Sequence, residues 1–300
     1  MLMSGGEIVV ISRIALALVA GVVVLTVPVR AQKPALADLL ALAADYHASY
    51  ADRVSGVTLE ERYSLIQLIA GRMQTPARFT SDVVLLNVNG RILGLRDPFA
   101  LDNVALRERT PRITAALAEP TVAGWQRVQT YAAEQHFRFV SDLILALNDP
   151  TLALQFVARS MQPKVTFKLE RHETLNGTSV ARVGFSENGS RETRFALKTR
   201  GNASASGRQW IDPVTGAVHK SELRATSPTE SVVVTVTYAN DAALTLWLPQ
   251  KMTETYQWKE LNDVHSNQNV GAYGARLFFQ AEAVYSNPRY TPVDLSKMRR

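Results

Sequence analysis

The sequence predicts an α+β fold in which a large curved antiparallel sheet packs against a few helices. From about Lys164 onward, short runs of alternating apolar and polar residues are separated by turn residues, which is typical of antiparallel strands with one buried face. Before that point, the segments Ala35–Arg53 and Thr121–Leu147 have apolar residues at intervals of three or four or their sums, as in amphipathic helices. The 300 residues, of which 46% are hydrophobic, provide enough apolar surface for a substantial core.

The first 31 residues have the three parts of a secretory leader. A weakly basic start ends at Arg13, the apolar run Ile14–Val29 follows, and the small residue Ala31 completes a cleavage site. We therefore expect an exported, periplasmic protein with one domain over residues 32–300. An uncleaved N-terminal anchor and an extracellular location are the alternatives. The sequence contains no cysteine, which excludes disulfide bonds and thiolate sites.

The first predicted elements are a helix, a strand and a hairpin. Ala35–Arg53 has apolar residues at helical spacing. Val57–Ile69 combines charges that suit a helix with alternating apolar residues, and we favour a strand. Arg78–Asn87 and Arg91–Arg96 form a clear hairpin, because Asn89-Gly90 between them accepts the two positive φ angles of a type I′ turn.

A helix-rich insertion is predicted at about residues 112–160. Thr121–Leu147 has apolar residues at intervals of three, four or their sums, which indicates one or two helices, with Thr121 as a candidate N-cap. A short helix over Thr151–Arg159 precedes Pro163. This insertion, together with the first helix, is all that the sequence offers to cover the apolar face of the sheet.

The clearest hairpin of the second half turns at Asp212–Gly216. Asp and Pro begin a tight turn and Gly216 supplies the positive φ that ends it, so the strand Arg208–Ile211 reverses direction. Further strands with one apolar face follow at Val232–Tyr238 and towards the C-terminus. Such a sheet is apolar on one side and polar on the other.

The order of elements, and the residues of three segments, resemble a known family. The segments are Trp210–Gly216, Val232–Tyr238 and Leu246–Pro249. They are similar to the periplasmic outer-membrane lipoprotein carrier superfamily, which includes LolA-type and LolB-type carriers and the RseB-type stress sensor. The resemblance implies an incomplete antiparallel β-barrel, with helices plugging its opening and an apolar cavity between. It implies no catalytic residues, because the carriers are not enzymes.

These observations favour a non-catalytic exported binding protein that carries a hydrophobic ligand, either an acyl chain or a lipoprotein. The alternative is an envelope protein-interaction or stress-sensing module without a bound lipid. The predicted cavity residues combine strand aromatics and valines with two plug residues of the insertion. They are Phe167, Phe185, Phe195, Trp210, Val234, Val236, Trp258, Phe279, Leu143 and Phe156. The same residues also suit an ordinary, permanently filled core.

A cluster of basic residues is the second candidate binding feature. Its members are Arg191, Arg194, Lys198, Arg200 and Arg208. They could attract lipid headgroups, giving peripheral membrane contact, or an acidic partner. Charges that protect a solvated sheet edge are the alternative. The net charge of +6 is mild and interleaved with acids, so we expect no nucleic-acid partner.

Motifs for catalysis, metals and cofactors are weak or missing in the sequence. No His-Glu-x-x-His, G-x-S-x-G or phosphate-binding glycine pattern occurs, so we expect no metal and no cofactor. His172 and Glu173 are strand neighbours and point to opposite faces. His219 shares a strand face with Ser221, and a packed or solvated histidine is favoured there over a general base. A hydrolase of cell-wall or lipid substrates is a third hypothesis, for which the sequence offers no convergent acid, base and nucleophile.

Overall fold

Twelve strands form one antiparallel sheet in the part of the chain that the computed structural model describes. The described residues are 34–69, 72–73, 75–119, 121–133, 148–188, 204–226, 230–258 and 278–295. The predicted leader therefore lies outside them, as do the second half of Thr121–Leu147 and most of the basic cluster. No helix within these ranges is both long and apolar enough to cross a membrane.

The strands follow the hairpin pattern that the sequence predicts. They are β1 (Val57–Ile69), β2 (Arg72–Met73), β3 (Ala77–Val88), β4 (Arg91–Leu101), β5 (Val104–Ala105), β6 (Val165–Leu175), β7 (Thr178–Glu187), β8 (Ser204–Ile211), β9 (Val218–Thr226), β10 (Glu230–Asp241), β11 (Leu246–Trp258) and β12 (Phe278–Tyr290). Their order across the sheet is β5-β4-β3-β1-β12-β11-β10-β9-β8-β7-β6, with β2 paired to β1. The pairing of β1 with β12 brings the first strand next to the last.

The helices are α1 (Leu36–Val54), α2 (Arg112–Ala118) and α3 (Val122–Ala133), followed by 3₁₀ helices at Leu152–Val157 and Gln162–Lys164. The prediction of a first helix and of a strand over Val57–Ile69 is confirmed. The short helix predicted at Thr151–Arg159 is a 3₁₀ helix. The predicted α+β class, with an open antiparallel sheet, is confirmed, since the edge strands β5 and β6 do not pair with each other in the described residues.

The sheet curls around the 3₁₀ helix Leu152–Val157. Gln155 Nε2 of this helix donates to the carbonyl of Ile92 on β4 at 3.4 Å, and the Phe156 ring stacks on Phe185 of β7 at 4.4 Å. β4 and β7 are eight strand intervals apart, about 38 Å in a flat sheet. Six residues of 3₁₀ helix are only about 12 Å long, so the sheet must curve to touch this helix from both sides.

The apolar interior lies on the concave face, where α1 and the 3₁₀ helix pack. Inward side chains alternate along every strand, as in Leu59 and Leu65 of β1 or Val232 and Val234 of β10, and they form one large buried cluster. All six residues of the 3₁₀ helix are buried in it.

Helices α2 and α3 lie on the opposite, convex face, which the sequence did not predict. Their residues Ile113, Leu117 and Val128 pack on Val84 and Leu86 of β3 in a separate cluster. The neighbours Val83 and Leu85 point to the concave side. This strand is apolar on both faces because helices cover both, and the uninterrupted run of four apolar residues is its signature in the sequence.

The two predicted turns position different parts of the sheet. Asn89 and Gly90 both have positive φ, 57° and 78°, as the predicted type I′ turn requires. Gly216 has φ 77°, and a Cβ added to it would lie 2.5 Å from the carbonyl oxygen of Leu42 in α1. The Asp212–Gly216 turn therefore supports the first helix as well as reversing the chain.

Candidate functional site

A small cavity lies between α1, the 3₁₀ helix and strands β9–β11. We call it the α1 cavity. It is lined by Tyr46, His47, Tyr50, Leu154, Val157, Val218, Tyr238 and Trp247. Its volume of about 10 Å³ is roughly what one water molecule needs. An acyl chain therefore does not fit unless one of the covering elements moves.

The buried stripe of α1 combines two aliphatic residues with small and polar ones. Leu39 and Val54 are fully buried, and the other buried residues are Ala43, Ala44, His47, Tyr50 and Ala51. Alanines bury little apolar surface, so this helix gains less from packing than a leucine-rich helix of the same length. The helix therefore covers the concave face while burying less apolar surface than a leucine-rich helix would.

Two polar atoms in the α1 cavity have no hydrogen-bond partner among the described residues. They are His47 Nε2 and Tyr50 Oη, on side chains that are 4% and 3% exposed. Tyr238, which lines the same cavity, is different because its hydroxyl donates to the carbonyl of Pro150 at 2.8 Å and lies 3.1 Å from Ser221 Oγ. Burying a polar group without a hydrogen-bond partner costs about 1–3 kcal/mol of folding free energy. These two atoms therefore reduce the stability that α1 gains by packing on the concave face.

The lining of the α1 cavity is uncharged at neutral pH. Burial lowers the pKa of His47 to about 4, so its imidazole is neutral. Burial, with a contribution from Tyr238, raises the pKa of Tyr50 well above its ordinary value. Burial also raises the pKa of Tyr46 to about 12, which Arg53 partly opposes.

Exposed polar contacts fasten α1 to the rest of the protein. Asp45 forms an ion pair with Arg159 at 2.5 Å, in which both side chains are about 70% exposed. Asp52 Oδ1 accepts a hydrogen bond from Asn87 Nδ2 at 2.8 Å, and Arg53 donates to the carbonyl of Thr245 at 2.6 Å. Exposed pairs of this kind contribute about 0–1 kcal/mol each, so they do not lock the helix in place.

His219, the candidate general base, is a packed residue beside the cavity. Its ring stacks on Trp247 with centroids 3.8 Å apart, and Nε2 lies 4.0 Å from Asp212 Oδ2. Burial lowers its pKa, although Asp212 opposes the shift. Ser221 does not pair with it, since its hydroxyl contacts Tyr238.

Several of the predicted cavity residues lie on the concave face but do not line the α1 cavity. Phe156 stacks on Phe185, which pairs across the strands with Phe167. Val234 and Val236 of β10 and Phe279 of β12 are buried in the same core. Phe195, Leu143 and the side chain of Trp258 lie outside the described residues.

Trp210 lies on the convex face, away from the predicted cavity. In the β7–β8 pairing it is opposite Arg182, whereas the inward Val183 is opposite Gln209. Its Nε1 donates to Glu173, and the Lys220 ammonium lies 4.5 Å from its ring centroid. Gln209, a polar residue, takes the inward position because its Nε2 donates to the carbonyl of Ala153 at 2.6 Å.

Arg208 is the one member of the predicted basic cluster within the described residues. Its guanidinium contacts two carboxylates on the convex face, Glu170 at 3.2 Å and Glu222 at 2.9 Å. Arg208 is therefore already neutralised within the sheet. Arg191, Arg194, Lys198 and Arg200 fall outside the described residues.

A second group of polar side chains is buried on the concave face, and the sequence analysis missed it. We call it the buried polar cluster; its members are Glu61, Tyr63, Arg96, Asn148, Glu254, Tyr256 and Tyr285. Arg96 Nε donates to both carboxylate oxygens of Glu61, at 2.9 and 2.8 Å. Arg96 also bonds the carbonyl of Asn148, and the Tyr285 hydroxyl donates to Glu61 at 3.0 Å.

Glu254 is the second buried carboxylate of the buried polar cluster. Its Oε2 accepts hydrogen bonds from the hydroxyls of Tyr63 and Tyr256, both at 2.9 Å, and from Asn148 Nδ2 at 3.3 Å. Burial raises its pKa to about 7, although Arg96 and the two tyrosines oppose the shift. Glu61 lies close enough to raise it further. A buried carboxyl that titrates near neutral pH is a common feature of functional sites.

The signals for both groups are present in the sequence, but they are weak. Tyr46, His47 and Tyr50 lie within the apolar stripe of the first helix, where polar residues are unexpected. Glu61, Arg96 and Glu254 each occupy an inward strand position. A charge at a period-two core position indicates a buried pair, but its partner on another strand cannot be identified from one sequence.

No protein-family model and no curated protein matches this sequence. Solved structures do match it at low identity. One is an outer-membrane lipoprotein-sorting protein domain from Vibrio parahaemolyticus, with 13% identity and a TM-score of 0.40, covering 87% of this chain and 95% of that one. A LolA superfamily protein from Nitrosomonas europaea has 10% identity and a TM-score of 0.31, covering 86% and 97%.

Pseudomonas aeruginosa MucB, solved as a complex with MucA, also matches, with 7% identity and a TM-score of 0.20, covering 84% of this chain and 99% of that one. These matches are to LolA superfamily proteins and MucB, the group of proteins that the sequence resembles.

Proposed function

We propose that this protein reversibly binds an apolar chain, such as the acyl chain of a lipid or lipoprotein, between its concave sheet and α1. The proposal is non-catalytic. The observation that carries it is the α1 cavity, an apolar and uncharged space sealed by a thin helix whose own polar atoms are left unpartnered. Because a secretory leader is predicted at residues 1–31, we propose that this activity takes place in the cell envelope.

The gain from burying an acyl chain can be compared with the cost of displacing α1. Burying a chain of about twelve methylenes gains roughly 10 kcal/mol before other costs. Lifting α1 breaks exposed polar contacts of about 0–1 kcal/mol each and exposes Leu39, Val54 and Tyr50 as well as three alanines, so it offsets part of that gain. We propose that the apo protein is closed and that ligand binding stabilises the open form.

A cross-link that holds α1 down tests this proposal. The variant Asp45→Cys/Arg159→Cys places two thiols at the exposed ion pair between α1 and the segment after the 3₁₀ helix. The chain has no other cysteine, so a flexible bis-maleimide, to which each thiol adds, joins only this pair. We expect cross-linked protein to lose uptake of the fluorescent apolar probe N-phenyl-1-naphthylamine.

The matched control is Glu119→Cys/Arg127→Cys, which replaces another exposed Arg–carboxylate pair on the convex face. Cross-linking there should leave probe uptake unchanged. Equal uptake by both cross-linked variants would show that α1 does not gate a site. If the uncross-linked protein takes up no probe at all, the apolar-ligand proposal fails and the envelope protein-interaction module becomes the better hypothesis.

A further inference from the structure

The two unpartnered atoms belong to two residues on one face of one helix. His47 and Tyr50 are three residues apart in α1, so their side chains lie one above the other. Both side chains are more than nine-tenths buried, and both line the cavity. Their polar atoms, Nε2 and Oη, have no partner among the described residues. An apolar side chain at either position would avoid the cost of burying these atoms.

The chemistry of the cavity defines what these atoms can bind. The imidazole and the phenol are both neutral at pH 7, because burial displaces each pKa away from neutrality. No Asp, Glu, Lys or Arg is among the residues that line the cavity. A carboxylate there would meet no lysine or arginine in the lining, and Asp149, whose charge acts on Tyr50, would repel it, so the site disfavours an anionic headgroup. A neutral hydroxyl can donate to one of the two atoms and accept from the other.

We infer that His47 and Tyr50 form a recognition site for one uncharged hydroxyl group on an otherwise apolar ligand. This inference rests on the proposed function, since the apolar part of the ligand occupies the space that α1 uncovers. The ligand class is a long-chain alcohol or a neutral lipid with a free hydroxyl. In the closed protein, the cavity has room for one water molecule in place of that hydroxyl.

Three probes of equal chain length test the inference with the protein of residues 32–300. They are tetradecane, 1-tetradecanol and tetradecanoate, each measured at pH 8 by displacement of N-phenyl-1-naphthylamine. Wild-type protein should bind tetradecanol about tenfold more tightly than tetradecane, as two modest hydrogen bonds provide. Tetradecanoate, which is ionised, should bind more weakly than the alcohol.

The variants Tyr50→Phe and His47→Leu remove one polar atom each. Each should reduce the preference for tetradecanol over tetradecane to about threefold, and the double variant should abolish it. Tetradecane affinity should stay within about twofold of wild type. Tyr46→Phe is the matched control, since this tyrosine lines the same cavity but its hydroxyl interacts with the backbone of Trp247. It should retain the preference.

Thermal unfolding of ligand-free protein provides the second measurement. Tyr50→Phe should unfold at the same or a higher temperature than wild type, because it removes an unpartnered atom. An alcohol preference that persists in the double variant would overturn the inference and leave His47 and Tyr50 as partners of a trapped water. A marked fall in the melting temperature of Tyr50→Phe would also overturn it. Failure of wild type to bind tetradecane refutes the proposed function itself, which separates the two failures.

Discussion

The α1 cavity and the buried polar cluster lie on the same concave face, but they differ in how many of their buried polar groups are hydrogen-bonded. In the cluster, Arg96, Glu61, Glu254 and three tyrosine hydroxyls take part in hydrogen bonds of about 3 Å, and only Glu254 Oε1 and Asn148 Oδ1 have no partner among the described residues. In the cavity, His47 Nε2 and Tyr50 Oη have no described partner. The cluster joins strands β1, β4, β11 and β12 of the sheet, whereas the cavity is closed by a helix.

The difference indicates which part of the interior is permanent. A network of several hydrogen bonds loses those bonds if it opens, so it resists opening. The polar atoms of His47 and Tyr50 lose no hydrogen bond within the described residues on opening and gain contacts with water or ligand. We therefore expect the sheet around the cluster to be rigid and α1 to be the movable part.

The largest expected effect comes from breaking the cluster's ion pair. Arg96→Met leaves Glu61 buried without its cation, which should destabilise the protein by about 3–5 kcal/mol in urea unfolding at pH 7. The double variant Arg96→Met/Glu61→Leu removes both charges and should recover most of that loss. If single and double variants are equally unstable, packing of the Arg96 side chain is responsible instead of charge.

The next effect is a dependence of stability on pH caused by Glu254. Its folded pKa of about 7 lies above its ordinary value of 4.5, so the folded state holds this proton more tightly. Its contribution to stability is present below pH 4.5 and is lost as pH rises through 7. Glu254→Gln should remove that loss, which makes the variant more stable than wild type at pH 8 by about 2–3 kcal/mol.

Denaturant unfolding at pH 5 and pH 8 measures the Glu254 effect. Glu282→Gln provides the control, because this glutamate is half exposed and pairs with Lys251 on the surface. It should leave the pH dependence unchanged. Parallel pH profiles for wild type and Glu254→Gln would mean that Glu254 is already ionised in the folded protein.

A smaller effect tests whether the Asp212–Gly216 turn supports α1. Gly216→Ala places a Cβ against the Leu42 carbonyl, whereas a Cβ at Gly90 meets nothing within 4 Å, and both glycines have φ near +77°. Both substitutions therefore share the strain of a positive φ, about 1 kcal/mol. We expect Gly216→Ala to cost about 1 kcal/mol more, and to increase hydrogen exchange in α1. Equal losses would show that the turn does not support the helix.

The smallest expected effect comes from the same substitution, tyrosine to phenylalanine, made once in the buried polar cluster and once in the α1 cavity. Tyr256→Phe removes a hydroxyl that donates to Glu254 and should cost about 1 kcal/mol. Tyr50→Phe removes a hydroxyl without a described partner and should cost nothing or stabilise slightly. Urea unfolding of both variants under the same conditions measures the difference. If both variants lose a similar amount of unfolding free energy, the two hydroxyls do not differ in hydrogen bonding as we expect.

Local patterns were sufficient to predict most of the fold. Alternation gave the strand at Val57–Ile69, and Asn89-Gly90 gave the hairpin between β3 and β4. Local patterns were less reliable for predicting which side chains of a strand point to the concave face of the sheet. Trp210 was predicted to face the cavity but lies outside, because Gln209 hydrogen-bonds the 3₁₀ helix from the inward position. Both residues are buried, and the glutamine takes the concave side because its hydrogen-bond partner, Ala153, is 56 residues away in the 3₁₀ helix.

The sequence alone determined the class of fold, the strand hairpins and the first helix, since these depend on residues a few positions apart. Only the tertiary structure decided that α2 and α3 cover the convex face, that Arg96 pairs with Glu61, and that His47 and Tyr50 lack partners. Those features depend on sheet curvature and on the register between distant strands. Neither quantity is encoded in a local pattern, because each arises when all the strands pack together.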